Sequence, residues 1–129
     1  ELSRIALAIK AVGVSRENAV TMVFDEVDAG VGGQTAQMVA EKIALVSRNK
    51  QVLCITHLPQ IAAMADRHIY VEKDISGERT RTVIDILSEA ERCLEISRMI
   101  SGDNLTEAAR SNAAEMITSA NDKKRNMVI

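Results

Sequence analysis

Residues 21–33 place the strongest constraint on the fold: they read TMVFDEVDAGVGG, a strand-like segment, two adjacent carboxylates and a glycine-rich loop. The apolar run at residues 19–24 lies between polar residues and turn residues, which is typical of a fully buried strand in a parallel sheet. Asp25 and Glu26 then fall at the C-terminal end of that strand, the edge where open α/β sheets bind ligands. An acidic pair there often only solvates a loop, but it also suits a hydrated metal ion and a reacting water.

A second apolar run, at residues 51–56, ends at His57, and a helical pattern at residues 34–46 lies between the two runs. This order predicts a β-α-β unit with a right-handed crossover. Parallel strands end at the same edge of a sheet, so His57 is expected near the two carboxylates and within reach of the same ligand. A single histidine at a strand end is more often a surface or capping residue.

The rest of the chain predicts helices and one hairpin. Runs at residues 68–71 and 79–86 favour a β-hairpin whose second strand has one face more exposed than the other. Ser88 and Glu91 have the spacing of a capping box. The predicted helices are residues 2–12, ended by Gly13; 60–65; 88–100, ended by Gly102; and one that starts at Thr106. From residue 121 the periodicity is lost, which predicts a frayed tail.

Composition narrows the class of protein. The 129 residues fit one domain, and 47% hydrophobic but only 2% aromatic residues predict an aliphatic core of helices on a sheet. A formal net charge of -2 provides no overall attraction to nucleic acid or anionic lipid. Cys54 and Cys93 lack metal-ligand spacing and are expected to be reduced thiols. With no apolar run near the roughly 20 residues of a membrane span and no secretory signal, we expect a cytoplasmic protein.

Three stretches occur in a specific order: ELSRIALAI, TMVFDEVDAGVGG and VLCITHLPQIAAMADRHIYVEK. Together they resemble the C-terminal lobe of the ATPase head in SMC-like ABC ATPases, and in particular the bacterial RecN family of DNA repair proteins. The resemblance implies an α/β lobe of a P-loop NTPase head, with parallel strands, flanking helices and a β-hairpin. It extends to about residue 121, so residues 1–121 are expected to be a partial domain of a longer protein and residues 122–129 a flexible tail.

The resemblance also implies roles for individual residues. Asp25 is implied to be the Walker B aspartate that helps hold Mg²⁺ through water, Glu26 the general base that polarises the attacking water, and His57 the switch histidine near the γ-phosphate. Glu1 and Ser3 are implied to form the end of the ABC signature motif, at the nucleotide. Because consecutive side chains of an extended backbone point to opposite sides, the two carboxylates are expected to do different jobs.

The sequence departs from the family pattern in two ways. SMC-like heads usually carry an aspartate where this chain has Gly32, so contacts of that loop across a head dimer cannot be carried over. No Gly-x-x-x-x-Gly-Lys-Ser/Thr motif and no coiled-coil arm occur in the 129 residues. That motif holds the β- and γ-phosphates in P-loop NTPases. The chain on its own is therefore expected to be inactive.

As a function, the resemblance implies ATP hydrolysis with Mg²⁺ in double-strand-break repair and recombination. The expected partners are DNA, through the full-length protein, and a second copy of the head with ATP bound between the two heads. No membrane partner is expected, and the expected location is the cytoplasm, in association with the nucleoid. Two alternatives remain open: an SMC or ABC ATPase serving chromosome organisation or transport, and a non-catalytic dimerisation or DNA-binding module.

Overall fold

The computed structural model describes residues 8, 21–76 and 80–127. The elements formed within residues 21–76 and 80–127 are, in chain order, β1 (Thr21–Asp25), α1 (Gly33–Ser47), β2 (Gln51–Ile55), α2 (Pro59–Met64), β3 (Ile69–Asp74), β4 (Arg81–Ile86), α3 (Glu89–Ser101) and α4 (Glu107–Asn126). The predicted mixed α/β class is confirmed. The helix expected at residues 2–12 lies outside the described residues except for Ala8, which is helical, and Glu1 and Ser3 also lie outside them.

The strands β1 and β2 form a parallel pair joined through α1, as the β-α-β pattern predicts. Their register pairs Thr21 with Gln51 at one end and Asp25 with Ile55 at the other. Alternate residues of β1 are buried, because successive side chains point to opposite faces of the sheet. The prediction of a fully buried strand is therefore wrong: Val23 is 63% exposed.

The core lies on the other face of this pair, under α1 and α2. The side chains of Met22 and Phe24 point into it from β1. Alanine and β-branched residues at helical spacing form the buried face of α1, and its small side chains permit close packing. The shared core comprises Met22, Phe24, Val27, Val31, Ala36, Val39, Ala40, Ile43, Ala44, Val46, Ile61, Ala62, Ala63, Met64, Ile96, Ala113 and Ala120. Helices α3 and α4 pack against each other and against α2.

The predicted hairpin is confirmed as the antiparallel pair β3 and β4. All six residues of β4 are exposed, so the alternation in this strand does not separate a buried face from an exposed one. Ile84 and Ile86 remain 65% and 67% exposed. The hairpin thus contributes no residue to the core described above.

The starts of α3 and α4 follow the predicted capping chemistry. The Ser88 hydroxyl accepts a hydrogen bond from the Glu91 N–H at 3.3 Å, and the Glu91 carboxylate accepts one from the Ser88 N–H at 2.8 Å. This reciprocal pair satisfies two backbone donors that a helix N-terminus leaves free. At the start of α4, the Thr106 hydroxyl accepts a single capping hydrogen bond from the Ala109 N–H. Gly102 ends α3 with φ at +69°, a conformation that favours glycine.

The prediction of a frayed tail is wrong for residues 122–126, because α4 continues to Asn126. Lys123 binds Glu41 of α1 at 2.6 Å, and Lys124 binds Asp66 at 2.9 Å. The Arg48 guanidinium donates to the carbonyls of Lys124 and Met127, which are free acceptors at a helix C-terminus. These partners are distant in sequence, so local periodicity does not reveal them. The domain division at residue 121 stays a prediction.

Candidate active site

The candidate site lies at the C-terminal edge of the β1–β2 pair. Asp25 and Ile55 are register partners, so the residues that follow them, Glu26 and Thr56, leave the sheet side by side. His57 comes next along the chain. The structure thus brings the ends of the two strands together as the sequence predicts. Asp25, Glu26 and His57 are all exposed to solvent.

Glu26 has an unusual backbone conformation. Its φ is +55°, the one positive φ of a non-glycine residue in the described part of the chain. The left-handed region costs an L-residue about 1–2 kcal/mol because Cβ approaches the following carbonyl oxygen. The alternation of an extended chain, predicted from the sequence to separate the two carboxylates, is not what the structure has. Asp25 is still in the strand, and a turn of the backbone separates its carboxylate from that of Glu26.

The loop after Glu26 is built from two short turns. The Ala29 N–H donates to the Glu26 carbonyl and the Val31 N–H to the Asp28 carbonyl, each at 3.1 Å. Val27 and Val31 are buried and anchor the loop to the core. Two glycines complete it, Gly30 at φ +67° and Gly33 at φ +53°. A side chain would have space at either glycine, because no heavy atom beyond the adjacent residues lies within 4 Å of where a Cβ would be. The positive φ therefore explains why both positions are glycine.

Asp28 is a site residue for which the sequence pattern predicts no role. It is 2% exposed, although it is charged and lies in a loop. Its Oδ2 atom accepts hydrogen bonds from the Thr56 hydroxyl and, at 3.1 Å, from the His57 backbone N–H. The same atom lies 3.4 Å from His57 Nδ1. The sequence gives no direct signal for this cluster, since the donors follow Asp28 by 28 and 29 positions.

Asp25 offers a single exposed carboxylate for a metal ion. Within the described ranges, no group of three or more His, Cys, Asp or Glu side chains converges as a metal cage. Mg²⁺ usually keeps several waters and takes one or two protein carboxylates together with substrate phosphates. One carboxylate at an open sheet edge fits that mode of binding. When bound there, Mg²⁺ would neutralise charge on the phosphates.

Cys54 lies in β2 beneath this edge, and its thiol is expected to be unreactive. Burial, followed by the charges of Asp28 and Asp25, raises the pKa of the thiol to about 11. The reactive thiolate should therefore be scarce at pH 8 and increase as the pH approaches 11. We expect alkylation by iodoacetamide at pH 8 to be roughly 100-fold slower than for an unperturbed thiol, as measured by peptide mass spectrometry. Rapid labelling of Cys54 at pH 8 in the folded protein would contradict this.

A groove of about 860 Å³ lies elsewhere, along α4. It is lined by Glu41, Ser111, Ala114, Glu115, Thr118, Ser119, Asp122, Lys123, Asn126 and Met127. None of the candidate site residues contributes to it. Asp25, Glu26 and His57 lie instead on the exposed edge of the sheet. In the part of the chain that is described, no helix has the length and hydropathy to cross a bilayer.

Protein-family models do not match the chain. Individual proteins do. The chain is 48% identical over 124 residues to the DNA repair protein RecN of Bacillus subtilis, and 44% identical over 120 residues to that of Streptomyces coelicolor. It is 42% identical over 117 residues to RecN of Haemophilus influenzae. The chain is a homologue of one segment of RecN.

The three alignments cover 96%, 93% and 91% of the chain, which confirms the resemblance to the RecN family. They cover only 22%, 21% and 21% of the respective RecN proteins. The chain therefore spans about a fifth of the length of these relatives. The name DNA repair protein describes whole RecN proteins, of which the chain matches one part.

Proposed function

We propose that this RecN-like chain is the water-activating part of an ATPase head within a longer DNA repair protein. In this proposal the β1–β2 edge belongs to the C-terminal lobe of an SMC-like head, and the P-loop that grips the phosphates lies in another part of the protein. ATP binding would join two heads, and hydrolysis would release them. The RecN relatives are named DNA repair proteins, which favours DNA repair over the alternatives of chromosome organisation and transport.

The observation that carries this proposal is the left-handed backbone of Glu26 at the strand edge. Backbone strain persists where the surroundings fix it, and it clusters at active sites. Gly30, only four residues later, shows that the chain uses glycine where a loop merely needs a positive φ. A carboxylate carried by a strained backbone, at the edge where β2 also ends, supports a chemical role over solvation of a loop.

The three site residues would then have separate roles. Asp25, at the end of β1, would hold a water of the Mg²⁺ shell. Glu26 would accept a proton from the attacking water as the water oxygen bonds in line to the γ-phosphorus, while the bond from that phosphorus to the β–γ bridging oxygen breaks and ADP leaves. His57 would contact the γ-phosphate from the end of β2. The nucleotide, Mg²⁺, DNA and a second head are the proposed partners.

The experiment is to measure Mg²⁺-dependent ATP binding and hydrolysis by the full-length protein and its Asp25→Asn variant. We expect Asp25→Asn to weaken both, because a neutral amide no longer stabilises the charged metal shell. The loss should be smaller in the absence of Mg²⁺. Asp85→Asn is the matched control, since Asp85 is an exposed aspartate of the distant hairpin and should leave both properties unchanged.

Two results would overturn the proposal. One is a full-length protein that neither binds nor hydrolyses ATP. The other is an Asp25→Asn variant that binds and hydrolyses MgATP as well as the wild type, which would remove the site from this edge of the sheet.

A further inference from the structure

We propose that Asp28 is a positioning residue for His57: its buried carboxylate keeps a proton on Nδ1 of the imidazole and leaves Nε2 as the nitrogen that faces the nucleotide. The inference rests on the proposed function, because it deepens the role of the same site. The sequence pattern predicts no role for Asp28, and the inference derives from the contacts around one of its carboxylate oxygens.

The first step is the burial of Asp28. A charged side chain that is 3% exposed is unfavourable unless donors surround it. Two donors are fixed by the fold, namely the Thr56 hydroxyl and the His57 backbone N–H. Both reach Oδ2, which ties the loop after β1 to the end of β2. A structural role alone would need no more than these two bonds.

The second step is the position of the imidazole. His57 Nδ1 lies 3.4 Å from the same Oδ2, although the His57 side chain is 73% exposed and has space to turn away. This distance is slightly longer than an ordinary N–H···O hydrogen bond. Catalytic hydrogen bonds are often long before substrate binds and shorten in the complex. The geometry therefore places the acceptor on the Nδ1 side of the ring.

The third step is the chemistry that this arrangement sets. The partner of one histidine nitrogen decides which nitrogen carries the proton, and a carboxylate at Nδ1 favours the Nδ1–H tautomer. The ring orientation is then fixed, and Nε2 is left for the γ-phosphate. A contact between Nε2 and a phosphate oxygen uses Nε2 as a donor too, so in that contact one ring nitrogen faces Asp28 and the other faces the phosphate.

Asp28→Asn separates positioning from simple loop closure. The amide oxygen of asparagine can still accept from the Thr56 hydroxyl and the His57 N–H, so the loop can remain closed. The negative charge that favours Nδ1–H is lost. The direct measurement is the histidine ring ¹⁵N shifts of the full-length, nucleotide-free protein, recorded at alkaline pH where they no longer change. The His57→Gln variant assigns the His57 signals. We expect Nδ1–H in the wild type and a loss of this preference in Asp28→Asn.

A double-mutant cycle on turnover supplies the second test. If Asp28 acts through His57, Asp28→Asn should lower kcat by roughly 10- to 100-fold, with little change in ATP binding. In a His57→Ala background the same substitution should change kcat by no more than about twofold, because the group that it positions is absent. Thr56→Val serves as a comparison, since it removes another bond to Oδ2 without altering the charge.

The outcomes are distinguishable. Equal losses of kcat from Asp28→Asn with and without His57 would overturn the positioning role and leave loop closure. An Nε2–H tautomer in the wild type would overturn it directly, even if ATP hydrolysis is normal. If the wild-type full-length protein does not hydrolyse ATP, the proposed function fails, and the ¹⁵N shifts still decide whether Asp28 holds Nδ1–H.

Discussion

Glu26→Gln is expected to lower ATP turnover of the full-length protein by roughly 10²- to 10⁴-fold, the usual contribution of a general base. Glutamine keeps the size and the exposed position of the side chain but lacks a basic oxygen. ATP binding should persist, because the proposed metal contact belongs to Asp25. The ATP-bound head dimer should accumulate, since hydrolysis no longer separates the heads. Single-turnover hydrolysis and nucleotide-dependent dimerisation measure the two effects.

The controls separate the chemistry of Glu26 from its backbone strain. The Glu26→Gly variant should lose ATP turnover to a similar extent, because it also lacks the basic oxygen. Glycine tolerates a positive φ, so the free energy of unfolding is expected to rise by up to about 1 kcal/mol. Glu115 lies on the exposed surface of α4, so Glu115→Gln should change neither ATP turnover nor the free energy of unfolding. Normal hydrolysis by Glu26→Gln, or loss of ATP binding in Glu26→Gln but not in Asp25→Asn, would show that the two roles are wrongly assigned.

The parts of this site that the sequence predicts are those that depend on local patterns. Apolar runs separated by a helical pattern predict the parallel pair, and the ends of parallel strands meet at one edge. This is enough to bring Asp25 and Glu26 near His57. The capping box at Ser88 and Glu91 is equally local, because both hydrogen bonds join residues three positions apart.

The parts that the sequence does not predict depend on contacts between distant residues. Asp28 resembles any polar loop residue until the end of β2 covers it. Lys123 and Lys124 resemble residues of a solvated tail until Glu41 and Asp66 supply their partners. The positive φ of Glu26 is likewise imposed by the fold, since no local propensity of glutamate favours it.

Arg92 is another such residue, and its environment predicts a large effect on stability. It lies one helical turn before Ile96 on the buried face of α3, where a charged residue is unexpected. Its side chain is 5% exposed. The Nη2 atom lies 3.2, 2.7 and 2.6 Å from the carbonyl oxygens of Ala62, Ala63 and Ala65. These carbonyls form the C-terminal end of α2, which carries a partial negative charge and lacks helical donors.

Arg92→Leu is therefore expected to destabilise the α2–α3 region by about 3 kcal/mol, because buried carbonyls lose a charged donor and each such loss costs roughly 1–3 kcal/mol. The Ala62 carbonyl keeps a bond from the Ala65 N–H, so the cost falls mainly on Ala63 and Ala65. Hydrogen exchange of residues 59–101 in the full-length protein measures this destabilisation. Amide protection in α2 and α3 should fall by roughly 100-fold.

Two further variants make the experiment specific to burial. Arg98 lies on the same helix but is 46% exposed and pairs with Glu95, so Arg98→Leu should cost about 0.5 kcal/mol or less. Arg92→Lys keeps a single nitrogen with three donors, and should recover part of the loss because all three contacts of Arg92 involve one nitrogen. If Arg92→Leu and Arg98→Leu have equal effects on exchange, the buried guanidinium does not hold the end of α2.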